Sequence, residues 1–161
     1  MTTNEYNLCV DQFADRLFRF LLKNTGNEDL ARDLVQDCFE KLWMKKENVD
    51  FERSKSYLFT MAHNAMIDQW RKDKGHQDIA DYEEQVGYEQ NQYSGLRPII
   101  ERALAKLPEI QRSVLLLRDY EGYDYAEIGR ICELNESQVK VYIYRARVAM
   151  KNYLGALNLV V

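Results

Sequence analysis

Apolar positions recur along most of this chain with the period of an α-helix. Residues 4–24 place Leu8, Phe13, Leu17, Phe18, Leu21 and Leu22 mostly three or four apart, and Asn24-Thr25-Gly26 stops the run. Asn27 reads as an N-cap, with Glu28 and Asp29 complementing the positive end of the next helix. Leu30, Leu34, Cys38 and Leu42 follow at four-residue spacing, which predicts a second helix to about residue 46. After a polar break at 47–54, a third helix is predicted over about 55–74, with Leu58, Met61, Ala62, Ala65 and Gln69 as its core face. From 75 to 96 the aliphatics thin out and the periodicity fades. Helices then resume at 98–107 and 108–120, the second carrying Ile110, Val114, Leu115 and Leu117, and Glu121-Gly122 marks a turn. Asp124 caps a short helix through Cys132, and Asn135 caps a long last helix to about Leu154. The expected fold is all-α: two small helical domains, 1–74 and 97–161, joined by a linker at 75–96. Whether the two domains pack together is left open by the pattern.

Composition sharpens this picture. Only two prolines and seven glycines in 161 residues favour long helices, and 46% apolar residues suffice for a real core. The net charge of −4 excludes a strongly basic, sequence-indifferent DNA coat. The charge is unevenly distributed. Residues 1–50 hold seven bases and ten acids, 51–75 five and three, and 97–161 ten and eight. Residues 76–96 hold five acids and no base, so the linker is acidic and, by composition, flexible. Cys9, Cys38 and Cys132 are far apart, and His63 and His76 do not cluster, which predicts buried reduced thiols, no metal site and no cofactor. There is no signal-peptide pattern and no apolar run near the ~20 residues of a membrane span, so a cytoplasmic location is expected. No catalytic triad setting and no Gly-rich phosphate loop occur, so neither an enzyme nor a small-molecule substrate is expected.

Two surfaces carry candidate chemistry. The last two helices, about three residues apart, have the outline of a helix-turn-helix. In the final one, Val139, Ile143, Ala146 and Met150 share a core face. The opposite face collects Ser137, Lys140, Val141, Tyr144, Arg145, Val148 and Lys151, with Gln138 beside them at the helix start. From 138 to 161 there are four basic residues and no acid, which suits a major groove: cations hold phosphates while short side chains reach base edges. A solvated basic face on an ordinary helix would look similar. On the third helix Tyr57, Thr60, Asn64, Asp68 and Arg71 share one side, with Trp70, Lys72 and Lys74 near its end. Rings, an amide and cations together are what single-stranded DNA requires, although aromatics of a core would also account for the rings.

The runs DLARDLVQDCFEKLW (29–43), SYLFTMAHNAMIDQWRK (56–72) and LPEIQRSVLLLRDYEGYDYAEIGRICELNESQVKVYIYRAR (107–147) resemble those of an extracytoplasmic-function sigma factor. These are small two-domain promoter-specificity subunits of bacterial RNA polymerase. The resemblance covers nearly the whole chain outside the linker. It implies that Asp33, Gln36 and Asp37, which lie on one face of the second helix, dock on the clamp coiled coil of core polymerase. It implies that the loop 49–55 and Tyr57, Thr60, Asn64, Asp68 and Arg71 capture unstacked bases of the −10 element, although an intrahelical ion pair accounts for Asp68 and Arg71 equally well. It further implies that Ser137, Gln138, Lys140, Val141, Tyr144, Arg145 and Lys151 read the −35 duplex, that the polymerase flap is a second contact, and that an anti-sigma protein, often membrane-linked in this family, holds the chain inactive. Three positions depart from the family pattern. Glu133 stands where the turn has glycine, and Tyr142 and His63 each replace an arginine, which puts the turn's shape and some DNA contacts in question.

Two other functions fit parts of the chain: a duplex-DNA regulator with a helical sensor domain, and a protein-binding adaptor. A sensor domain has no reason to carry both a clamp-docking face and a single-strand face. Four cations on the final helix would give a salt slope of only about −3.6 on duplex DNA, so binding by the free chain should be weak and salt-sensitive.

Overall fold

The computed structural model describes residues 1–75 and 95–156. Seven α-helices account for most of them: α1 (Thr3–Thr25), α2 (Glu28–Lys45), α3 (Ser54–Gly75), α4 (Leu96–Lys106), α5 (Glu109–Asp119), α6 (Tyr125–Cys132) and α7 (Glu136–Ala156). Two short 3₁₀ turns, Lys46–Asn48 and Phe51–Arg53, fill the polar break before α3. The predicted linker lies outside the described residues, apart from its ends.

Local chemistry explains where the helices begin and stop. Thr2 and Glu5 form a reciprocal capping box at the start of α1, and Gly26, with φ of 66°, ends it by donating its N–H to the Leu22 carbonyl at 2.8 Å. Asn27 Oδ1 accepts from the Leu30 N–H at 3.1 Å, as its N-cap role requires. Pro108 is itself the N-cap of α5 rather than its first helical residue.

α1, α2 and α3 pack on one another, and α4–α7 form a second set in which α7 lies against α4, α5 and α6. The two sets also pack together, through α3 on α6 and α1 on α4 and α5, so one hydrophobic core runs through both. Phe59, fully buried, meets Phe20 edge-on at 5.3 Å from one set and Tyr123 at 5.8 Å from the other. Two buried polar side chains complete the seam, with Ser113 Oγ 3.1 Å from Asn24 Oδ1. Trp70 faces the Arg112 guanidinium at 5.8 Å.

The expected core faces of α2 and α7 are buried as predicted, except that Leu30 and Met150 are only half-buried. Two expectations need correction. Leu8 is 46% exposed, while the adjacent Cys9 is fully buried. On α3 the buried positions are Leu58, Phe59, Ala62, His63, Met66 and Trp70, while Met61, Ala65 and Gln69 are only half-buried. Because α3 is covered by α1 and α2 on one side and α6 on another, its buried side is wider than a single stripe and is turned toward the bulkier residues. His63 therefore points inward, and its departure from the family pattern alters the core rather than a DNA contact. Cys9, Cys38 and Cys132 are free and buried, and burial pushes the thiols of Cys38 and Cys132 up to about 11 and about 12.

Neither ring nitrogen of His63 has a hydrogen-bond partner, and burial lowers its pKa to about 4. The unfolded chain takes up this proton near the ordinary value of about 6.5, so the neutral ring stabilises the fold fully above that pH and progressively less below it. Between pH 7.5 and pH 5 the fold should lose about 2 kcal/mol through this group. Urea unfolding of the wild type and His63→Leu at both pH values measures it; an equal loss in the two proteins would exclude His63 as the cause.

Candidate nucleic-acid interface

α6 and α7 are joined by a turn that brings their backbones very close. Asp124 Oδ1 accepts from the Glu127 N–H at 2.8 Å and starts α6. Glu133 then adopts φ of 58° and ψ of 48°, and the Leu134 N–H returns to the Gly129 carbonyl at 2.9 Å. The glutamate thus keeps the left-handed geometry that glycine adopts at lower cost, and the turn is not opened by the substitution. Gly129 is required at this crossing, because a Cβ there would lie 2.6 Å from the Leu134 carbonyl oxygen. Asn135 and Gln138 form a second reciprocal box, with N–H···O distances of 2.8 and 3.0 Å, that starts α7. Gln138 Oε1 is therefore committed to the cap, on a side chain that is otherwise exposed.

α7 is anchored by Val139, Ile143 and Ala146, all buried, and this sets what its other side presents. Ser137, Gln138, Lys140, Val141, Tyr144, Arg145 and Lys151 are all exposed there, Tyr144 by 69%. Of the four cations expected on this helix, Arg147 is held by Asp119 of α5 at 2.6 Å. Among the described residues Lys140, Arg145 and Lys151 carry no ion pair, so three cations remain for phosphates and the salt slope falls to about −2.7.

On α3, Asn64, Asp68 and Arg71 are exposed and Tyr57 and Thr60 half-buried, with no ion pair between Asp68 and Arg71 among the described residues. Trp70 lies in the core and is no stacking platform. Asp33, Gln36 and Asp37 are exposed on α2, outward from Leu34 and Cys38. Farther along the same helix, Trp43 and Met44 are 44% and 76% exposed, with Tyr6 edge-on to Trp43 at 5.0 Å and Lys46 over it at 3.7 Å. These two exposed apolar residues were not singled out from the pattern, because their spacing continues the helix without marking a face.

Long-range polar contacts were also invisible in the sequence. Glu121, in a segment that reads only as a turn, receives the Arg16 guanidinium at 3.0 Å. Lys55 Nζ donates to the Glu121 carbonyl at 3.2 Å, and Ser56 Oγ donates to Glu127 of α6. The start of α6 is thereby brought against the start of α3, one turn before Thr60.

Comparison with known proteins places these surfaces in a family. The Sigma-70 region 2 family model matches residues 9–76, and the Sigma-70, region 4 model matches 97–150. The ECF RNA polymerase sigma factor SigM of Bacillus subtilis (strain 168) is 28% identical over 145 residues, which is 86% of this chain and 88% of that protein. SigW of the same organism is 27% identical over 161 aligned positions, covering 90% of this chain and 86% of its own. In three dimensions the chain is similar to the sigma factor RpoE of Bartonella quintana, solved with the anti-sigma factor NepR. The TM-score is 0.80 at 25% identity, over 95% of this chain and 98% of that one.

The turn supplies a test of its own. Glu133→Gly relieves the left-handed glutamate and should stabilise the chain by about 0.5–1 kcal/mol, read as a raised thermal midpoint. Gly129→Ala should lower the midpoint, because the added Cβ pushes α6 off the turn. A neutral Gly129→Ala would show that the crossing can relax.

Proposed function

The chain belongs to the sigma-70 family as an extracytoplasmic-function sigma factor, and from that premise we propose how its surfaces divide the work. Such a protein binds core RNA polymerase and promoter DNA and sets where transcription starts. The first helical block, 1–74, docks on the polymerase clamp through Asp33, Gln36 and Asp37, whose carboxylates and amide accept hydrogen bonds from a basic partner surface. Its third helix captures extruded −10 bases with Tyr57, Thr60, Asn64, Asp68 and Arg71, offsetting the few kcal/mol that unstacking costs. The second block, 97–161, reads the −35 duplex from the outer face of α7. There Ser137, Gln138 and Lys140 lie nearest the helix start, Val141 and Tyr144 offer apolar contact to thymine methyls, and Arg145 and Lys151 hold phosphates. The acidic segment 75–96 tethers the two.

The observation that carries this division is the uncovered outer face of α7, which bears cations and no acid beyond Glu136 at its first residue, on a helix whose other side is anchored in the core. Bond-making belongs to the polymerase; this chain supplies recognition and melting, and works in the cytoplasm beside the chromosome. An anti-sigma partner is part of the proposal, supported by the likeness to a sigma factor that was solved with one. A duplex regulator with a helical sensor is less well supported, since the first block matches region 2 rather than a sensor.

Purified core polymerase tests the proposal directly. Adding the chain should produce promoter-dependent transcripts from a genomic promoter library, and failure on every promoter would overturn it. Replacing Lys140 and Arg145 together with alanine should weaken −35 binding roughly 10- to 100-fold at unchanged core affinity, at ~1–3 kcal/mol for a base-edge contact and less for a phosphate. Replacing Asp33 and Gln36 with alanine should weaken core binding instead, measured by competition against the wild type. Equal loss of both activities in either variant would mean that the faces are assigned wrongly.

A further inference from the structure

We propose that Arg16, Lys55 and Ser56 form a phosphate-binding strip for the melted −10 strand, and that Glu121 and Glu127 cover this strip while the two helical blocks are packed together. This rests on the assignment of the loop 49–55 and α3 to strand capture and extends it to Arg16 and Ser56, with a phosphate-binding role for Lys55.

The strip is a set of donors gathered on Glu121 and Glu127, two on their carboxylates and one on a backbone carbonyl. The Arg16 guanidinium lies 3.0 Å from Glu121 Oε1, and that carboxylate's side chain is only 8% exposed. Lys55 reaches the Glu121 carbonyl at 3.2 Å while lying over the Tyr123 ring at 4.5 Å. Ser56 donates its hydroxyl to Glu127, whose other oxygen accepts from Arg130 at 2.7 Å. A guanidinium and a hydroxyl on carboxylates, with an ammonium on the neighbouring Glu121 backbone carbonyl, are the donor types that hold a phosphodiester backbone.

Position ties the strip to the strand. Ser56 precedes Thr60 by one helical turn and Asn64 by two, so all three lie on one side of α3, with Tyr57 adjoining. Electrostatics says what must happen when the cover leaves. Burial first, and then the charge of Arg16 beside it, lower the pKa of Lys55. Two cations close enough to repel are balanced here by the Glu121 carboxylate, and its departure leaves a site that favours another anion.

Departure is required for function. A compact chain of this length has a radius of gyration of about 15 Å. The −10 and −35 elements lie about 25 base pairs apart, roughly 85 Å at ~3.4 Å per pair. The packed blocks cannot occupy both, and both carboxylates belong to the block that must move away. The −10 strand thus arrives as the competing anions leave.

The probe is a fluorescein-labelled 12-nucleotide single-stranded DNA of mixed sequence, since phosphate contacts are indifferent to base identity, titrated with full-length chain by anisotropy at 50–200 mM salt. The Glu121→Gln/Glu127→Gln variant should bind it at least about fivefold more tightly than the wild type. Its salt slope should steepen by about 1.4, from two further cations at ~0.7 each. Adding Arg16→Gln and Lys55→Gln to that variant should cancel both changes. Unchanged affinity in the first variant, or a gain that survives loss of Arg16 and Lys55, would overturn the proposal. Should the first variant fail to melt cooperatively, Arg16→Gln/Lys55→Gln is read in holoenzyme with core polymerase, where shortened open-complex lifetimes are expected and unchanged lifetimes would refute the strip. Wild-type holoenzyme that initiates on no promoter would refute the sigma-factor assignment of these surfaces instead.

Discussion

The packing of α3 is the constraint on which the rest of this molecule depends. Phe59 is fully buried because rings from both helical blocks close on it, Phe20 from one and Tyr123 from the other. A helix buried on two sides has little outer surface left, and the exposed residues of α3 are Asn64, Asp68, Arg71, Lys72 and Lys74, with half-buried Thr60 at the edge. The same packing brings α6 onto the beginning of α3 and so determines which polar groups meet across the seam. Separating the blocks exposes one side of Phe59 and strands the buried Asn24–Ser113 pair, each of which opposes opening. Any binding event that separates the blocks must offset that cost.

Helix identity was legible wherever one face alone is buried. The four-residue stripe of α2 and the Val139–Ile143–Ala146 stripe of α7 were read correctly because each helix has one apolar side and one wet one. Caps were legible for a different reason. Asn27, Asp124 and Asn135 act on backbone groups three residues away, so their chemistry is local. α3 was misread because periodicity assumes one partner and this helix has two. Glu121 and Asn24 were read only as turn and helix-stop residues, since their partners stand 105 and 89 positions away. Of the candidate site, the outer faces of α2 and α7 were visible in advance. Trp70 was not, because aromatic residues near a helix end serve a core and a stacking surface equally well.

The three departures from the family pattern have separate physical meanings. Glu133 is a cost borne by the backbone: the turn keeps its left-handed shape because Gly129 and Leu134 meet too closely for another path. His63 is a polar ring left without partners in an apolar interior. Tyr142 is half-buried beside the core rather than out on the reading face, so its ring is divided between packing and solvent. Only this last one bears on the edge of the DNA-facing surface.

The three buried thiols have a consequence for how the protein meets oxidants. Burial pushes the thiols of Cys38 and Cys132 up to about 11 and about 12, so both are protonated at pH 7. Burial likewise pushes the Cys9 thiol above its ordinary value. Peroxides and disulfides react with thiolates that solvent can reach, and this chain presents none among its described residues. In the packed state its cysteine sulfur atoms are thus held as protonated, shielded thiols that an oxidant meets only after local opening.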